Sequence, residues 1–213
     1  MKPAVKYTPT PDNDPATRFT LSGVDVCFAN AIRRTILSDI PVAVFRTAPY
    51  SENKCNITKN TSRLNNENIK QRLSCIPIHI EDLSEDIEHY MLEVSETNRT
   101  DAPMIVTTEH FKVKNTQTDE YLPRNRVRAM FPPFVPPNSS DEFYIDFVRL
   151  GQQVEGTQSG ETIELTCRFG VGTAKESGMF NVVGTCAYGF TPDAAKIHEA
   201  VEARRTSLKA EGK

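Results

Sequence analysis

Nine side chains in this 213-residue sequence are histidines or cysteines, the residue types that most often ligate transition metals and that include the strongest nucleophile. They are His79, His89, His110 and His198, with Cys27, Cys55, Cys75, Cys167 and Cys186. Their spacing argues against both roles. No two histidines stand at HxxxH spacing, which would put two imidazoles on one helix face for zinc. No two cysteines form CxxC, and four thiolates at cluster spacing are absent. No serine sits in a GxSxG elbow, and no cysteine has an evident base beside it. The sequence therefore predicts no catalytic residue, no metal and no cofactor. The odd, scattered cysteines read as free, mostly buried thiols in a reducing compartment. The sequons at Asn56, Asn60, Asn98 and Asn138 then read as chance.

Three charged or glycine-rich stretches also invite chemistry. Gly170–Ser177, GVGTAKES, suggests a phosphate loop, but a Walker loop needs lysine directly after its second glycine, and Lys175 stands apart from Gly172. Glu81–Glu88, EDLSEDIE, is acidic but lacks the DxDxD-like turn of a polymerase metal site, so it reads as a solvated turn. Arg124, Arg126 and Arg128 alternate before FPPFVPP and predict an extended segment with one basic face. A solvated face is the plainest role for them; contact with nucleic acid or an acidic subunit is the sharper one. No aromatic interleaving suggests base stacking.

The element that must position any functional surface is Leu21–Pro41, LSGVDVCFANAIRRTILSDIP. Ser22 predicts an N-cap and Asp25 the acid of a capping box. Pro41 stops the helix near Asp39 or Ile40. Val24, Phe28, Ala31, Ile32, Thr35 and Ile36 recur at steps of three and four and form one apolar stripe. Asn30, Arg33 and Arg34 fall on the remaining faces. Such a stripe fits an ordinary core helix or a helix that packs on a partner chain.

Around it, hydrophobic residues are 38%, charged residues 25% and the net charge is -3, as in a soluble globular domain. No general basic excess points to nucleic acid or acidic lipid. The first residues carry no apolar leader, and no run approaches a bilayer span. Residues 1–17 read as a flexible arm. Arg18–Leu21 and Val42–Phe45 read as short strands flanking the helix. Ala48–Thr61 reads as a polar crossing. Asn65 or Asn66 caps a short helix through Leu73, and Cys75–Ile80 alternates as a strand. Tyr90–Val94, Met104–Val113, Glu142–Leu150 and Thr162–Phe169 read as strands, with Gly151–Gly160 as a turn. Thr191 caps a last helix with Pro192 at its first position.

The letters Ala29-Asn30-Ala31-Ile32-Arg33-Arg34-Thr35-Ile36-Leu37 with Pro41 resemble the hallmark helix of one RNA polymerase family. That family includes the bacterial alpha subunit, the archaeal D subunit and the third-largest subunit of eukaryotic RNA polymerase II. Four further stretches agree with it. Glu67, Ile69, Arg72, Leu73, Ile76, Pro77 and Ile78 match an E-x-I-x-x-R-L-x-x-I-P-I segment. MIVTTEHFKV, the Glu142–Leu150 and Thr162–Phe169 pair, and the glycine loop with Lys175 follow in order. The wording GTAKESGMFNVVGTCAYGF departs from cellular versions and is most similar to those of large DNA viruses.

The resemblance implies an α+β fold with a discontinuous dimerisation domain and an inserted, mostly β domain. Its parts would be 18–48, an insert at 49–187, and a return segment at 188–213. The family continues with a further strand and a long helix, so the domain is expected to be incomplete here. The resemblance also implies a non-catalytic assembly subunit. Val24, Phe28, Ala31, Ile32, Thr35 and Ile36 would face an alpha-like partner, and Arg33 or Arg34 would touch a large catalytic subunit. DNA would be met only through the complex, inside the cell in a reducing compartment, in the nucleus or, for a viral chain, a viral factory or virion. The competing readings are a free-standing interaction module and, on the weaker motifs above, a metal- or phosphate-dependent enzyme.

Overall fold

The computed structural model of the chain describes residues 2–9, 16–80, 82–83, 87–137, 139–153 and 160–210. The expectations for half of the acidic loop, the centre of the 151–160 turn, the Asn138 sequon and part of the N-terminal arm lie outside the described residues. The architecture is α+β. It divides into two compact units, one of Met1–Arg34 with Thr185–Lys213 and one of Thr35–Gly184.

In the first unit, β1 (Ala4–Thr8) pairs antiparallel with β2 (Arg18–Ser22), from Ala4↔Ser22 to Thr8↔Arg18. This corrects the flexible-arm reading for Ala4–Thr8. Val5 and Tyr7 are good strand formers, and β2 gives them a partner that the local sequence does not reveal. Gly23 follows at φ +72, where a Cβ would lie 2.5 Å from the Lys2 carbonyl oxygen, so only glycine fits the corner. The helix α1 (Val26–Ser38) then begins, belonging to this unit as far as Arg34 and to the other from Thr35. Its cap is Asp25, not Ser22, which is the last residue of β2. The Asp25 carboxylate accepts the Cys27 N–H at 2.7 Å, and its carbonyl accepts from Phe28 and Ala29. Val24 consequently lies before the helix rather than on its stripe. At the other end of the sequence, α4 (Ala194–Ala210) is capped by Asp193, whose carboxylate accepts from Ala195 and Lys196 at 3.1 and 3.2 Å. A carboxylate one residue before the helix outcompetes the expected Thr191 cap.

In the second unit, β3 (Val42–Phe45), β4 (Cys55–Asn60), β5 (Tyr90–Thr97), β7 (Lys112–Asn115), β8 (Glu120–Tyr121) and β10 (Thr162–Gly172) form one antiparallel sheet. The long strand β10 is its axis. Thr162–Arg168 pairs with β5 on one side, while the other side takes β4 and then β3. A separate ribbon joins β6 (Met104–Thr107) to β9 (Asp146–Leu150). The helix α2 (Asn66–Ser74) is capped by Asn65, whose side chain accepts the Asn68 N–H at 2.8 Å. Its Ile69 and Leu73 are fully buried. The core between these elements holds Phe45, Phe111, Phe131, Phe147 and Phe169, linked by edge-on and stacked ring contacts.

Three expectations are corrected here. Cys75–Ile80 is not a strand. Ile76 and Ile78 are buried in alternation, but Cys75 and Ile76 donate back to the Arg72 and Leu73 carbonyls at the end of α2, Pro77 offers no N–H, and His79 donates to the Met130 carbonyl, so no ladder forms. The Ala48–Thr61 crossing contains β4, whose Cys55 and Ile57 point into or against the core. Finally, Arg124–Met130 is a helix, α3, not an extended segment. Val127 and Met130, three apart, are buried beneath it, so helical period wins over the alternation of arginines.

Candidate functional site

The helix α1 buries no residue. Its Phe28 is 55% exposed and Val26 is 46% exposed, while Ala31 and Thr35 are exposed and Ile32 and Ile36 half-buried. Fully burying a phenylalanine stabilises by about 1.5–3 kcal/mol, so this row of apolar side chains holds an unused capacity for association. The predicted partner face Phe28, Ala31, Ile32, Thr35 and Ile36 is thus brought together on one helix; Val24 stands apart, half-buried beyond the N-cap. The Asp25 carboxyl that starts the helix is held below the usual range by its bond to the Cys27 N–H.

The two arginines are not equivalent. Arg33 is half-buried, and its Nε donates to the Asn30 side chain at 3.0 Å. Arg34 is exposed. Successive residues point about 100° apart on a helix, so the two guanidinium groups address different directions.

The C-terminal end of α1 meets the glycine loop. The Lys175 N–H donates to the Ser38 carbonyl at 2.9 Å, and the Lys175 ammonium stands 3.7 Å from the Asp39 carboxylate. The lysine that suggested a phosphate loop thus closes a helix end, where backbone carbonyls lack partners. Beside it is a residue the sequence reading missed. Arg46, directly after β3, donates to Glu52 at 3.0 Å, to Glu176 at 2.8 Å and to the Val171 carbonyl at 3.0 Å. Its guanidinium also lies 5.6 Å from the centre of the Phe180 ring. Hydrogen bonding to Arg46 holds the Glu176 carboxyl below the usual glutamate range. A charge placed at the end of the buried run Ala43–Phe45 was the available signal.

The other candidates take structural roles. Arg124 pairs with Glu109, and Arg128 with Glu142 and the Tyr144 hydroxyl. Arg126 lies over the Tyr90 ring at 5.6 Å. The His110 ring accepts the Thr107 N–H at 3.1 Å and closes a capping box. Among the described residues, no group of three or more His, Cys, Asp and Glu could hold a metal ion.

The model of the RNA polymerase Rpb3/Rpb11 dimerisation domain matches residues 18–146, more than half of the chain. The chain belongs to this family. The match to the Rpb3/Rpb11 domain opens at the first residue of β2 and contains all of α1. DNA-directed RNA polymerase subunit Rpo3 of Thermococcus kodakarensis is 43% identical over 29% of the chain, and that of Methanosarcina acetivorans 37% identical over 37%. Subunit RPAC1 of human RNA polymerases I and III is 26% identical over 82% of the chain. The chain spans about half the length of RPAC1, at 51%, and 21% and 25% of the two archaeal relatives.

Proposed function

We propose that the chain is a non-catalytic assembly subunit of a multisubunit DNA-directed RNA polymerase. It pairs with an alpha-like partner through α1 and docks the large catalytic subunits, meeting DNA only through the complex. The observation that carries this reading is the uncovered apolar row on α1 inside a segment matching the Rpb3/Rpb11 dimerisation domain. The pairing face is Phe28, Ala31, Ile32, Thr35 and Ile36, with Val24 at its margin. Arg33 or Arg34 supplies the large-subunit contact.

In this reading the dimerisation domain is discontinuous, formed by residues 18–48 and 188–213 around an insert at 49–187. The site of action is intracellular. The wording of Gly172–Phe190 supports the narrower likeness to viral versions, while the relatives named above are archaeal and human. Co-expression with an alpha-like subunit and the two large polymerase subunits tests the proposal. Stoichiometric co-purification is expected. Recovery of the chain without any of them, from a lysate containing all three, would overturn it.

A further inference from the structure

Cys55 on β4 and Cys167 on β10 are register partners, and both are buried, at 4% and 0% exposure. Next to them, the Arg168 N–H donates to the Lys54 carbonyl at 3.2 Å. Hydrogen-bonded and non-hydrogen-bonded pairs alternate along an antiparallel ladder, so Cys55 and Cys167 occupy a non-hydrogen-bonded pair. In such pairs the Cα atoms approach to about 4.5 Å and the side chains rise from the same face. That spacing lies inside the range of about 4.4–6.8 Å that a disulfide spans. The geometry points to a reversible cross-strand disulfide between Cys55 and Cys167, formed when a small peroxide reaches the core.

The surroundings favour this chemistry over the alternatives. With no third ligand among the described residues, the two sulfurs cannot build a zinc site. The bond from Cys167 lowers the Cys55 pKa against the opposing effect of burial, and the Lys70 ammonium helps. The bond to Cys55, and then burial, hold Cys167 protonated. With the Lys70 ammonium acting on Cys55 and the Cys167 S–H given to the Arg168 carbonyl at 3.6 Å, Cys55 attacks and Cys167 resolves.

The step balances with hydrogen peroxide as the oxidant. The Cys55 thiolate attacks one peroxide oxygen, the O–O bond breaks, and hydroxide leaves to take up a proton as water. This makes a sulfenic acid at Cys55. The Cys167 sulfur then attacks the Cys55 sulfur, the S–O bond breaks, and the departing hydroxide takes the Cys167 proton as a second water. The two sulfurs lose two electrons in total, and the peroxide gains them. The product pins β4 to β10 covalently.

The test uses the full chain with Cys27, Cys75 and Cys186 replaced by serine, all three being exposed or half-buried. Folded protein is treated with hydrogen peroxide, quenched, digested and analysed by mass spectrometry. A linked Cys55–Cys167 peptide that lacks two hydrogens and is released by dithiothreitol is expected, with the circular dichroism unchanged and the melting temperature raised. In the same background, Cys167→Ser should stall as a dimedone-trappable sulfenic acid at Cys55. Two thiols that remain open to alkylation after peroxide treatment and unfolding would overturn the inference. So would oxidation of Cys55 to the sulfinic acid without a link, or a link that forms only in unfolded chain.

Discussion

The Lys175 main-chain N–H donates to the Ser38 carbonyl at 2.9 Å, so the glycine loop finishes the last turn of α1. Its side chain contributes less, because the pair with Asp39 is 3.7 Å long and Lys175 is 76% exposed. Lys175→Ala should change stability by no more than about 0.5 kcal/mol. Lys175→Pro, which removes the N–H, should cost about 1–3 kcal/mol. Urea melts of both variants check the contrast; equal losses would locate the stabilisation in the ion pair instead.

Phe28→Asp separates folding from association. The ring is half-exposed in the chain by itself, so the melting temperature should stay within a few degrees of the parent. Under a partner helix the carboxylate would be buried without a cation, which costs several kcal/mol. Light scattering on the isolated parent chain should find aggregation or self-association that an alpha-like partner relieves, and Phe28→Asp should lose that relief. A monodisperse parent that ignores the partner would remove α1 from the interface.

The arginine pair gives a directional test. One of Arg33→Ala and Arg34→Ala should block recruitment of a large polymerase subunit in a pull-down, with circular dichroism unchanged. Because the two side chains point apart, equal loss in both variants is not expected. Normal assembly of both would end the proposed role.

Arg46→Ala removes three hydrogen-bonded contacts and the Phe180 ring contact at once. Since Glu52 and Glu176 are both about half exposed, the expected loss is a discounted value of about 1–2 kcal/mol. The pH dependence has a definite sign. The Glu176 pKa is lowered in the folded chain, so its pairing stabilises at and above the ordinary glutamate value of about 4.3 and is lost as pH falls below it. Arg46→Ala should flatten that part of the acid limb, measured by denaturant titration from neutral to acidic pH. An unchanged limb would mean that other carboxylates, Glu142 beside Arg128 among them, carry it.

Phe169→Ala tests the core. The ring is fully buried against Phe45, with centroids 4.9 Å apart, and its loss should cost about 3–5 kcal/mol. A loss below about 1 kcal/mol would mean that the aromatic cluster collapses freely around the gap.

What the sequence revealed follows the range of the forces involved. The stop of α1 before Pro41, the Asn65 cap of α2 and the alternating strands β5, β9 and β10 rest on neighbours in sequence, and they were legible. The pairing of β1 with β2 was not, because Val5 and Tyr7 are exposed and nothing local marks their partner. The arginines of α3 hid the Val127–Met130 spacing beneath them. Arg46 and Lys175 were unreadable as a pair of fasteners, because Glu176 is 130 residues from Arg46. The apolar row on α1 was visible as a pattern, but its exposure was not, since a pattern does not say what lies opposite.

The position of β10 as the axis of the sheet also sets a timetable. It pairs with β3, β4 and β5, yet it is the last of these strands to be made; Thr58 meets Glu164 106 residues later. At about 5–20 residues per second, a ribosome needs several seconds to cover that distance. Through that interval β3 and β4 have no neighbour to complete their ladders, and the Phe45 ring has no Phe169 to rest on. The nascent chain is thus committed to late closure, with β3 and β4 unpaired until the axis emerges.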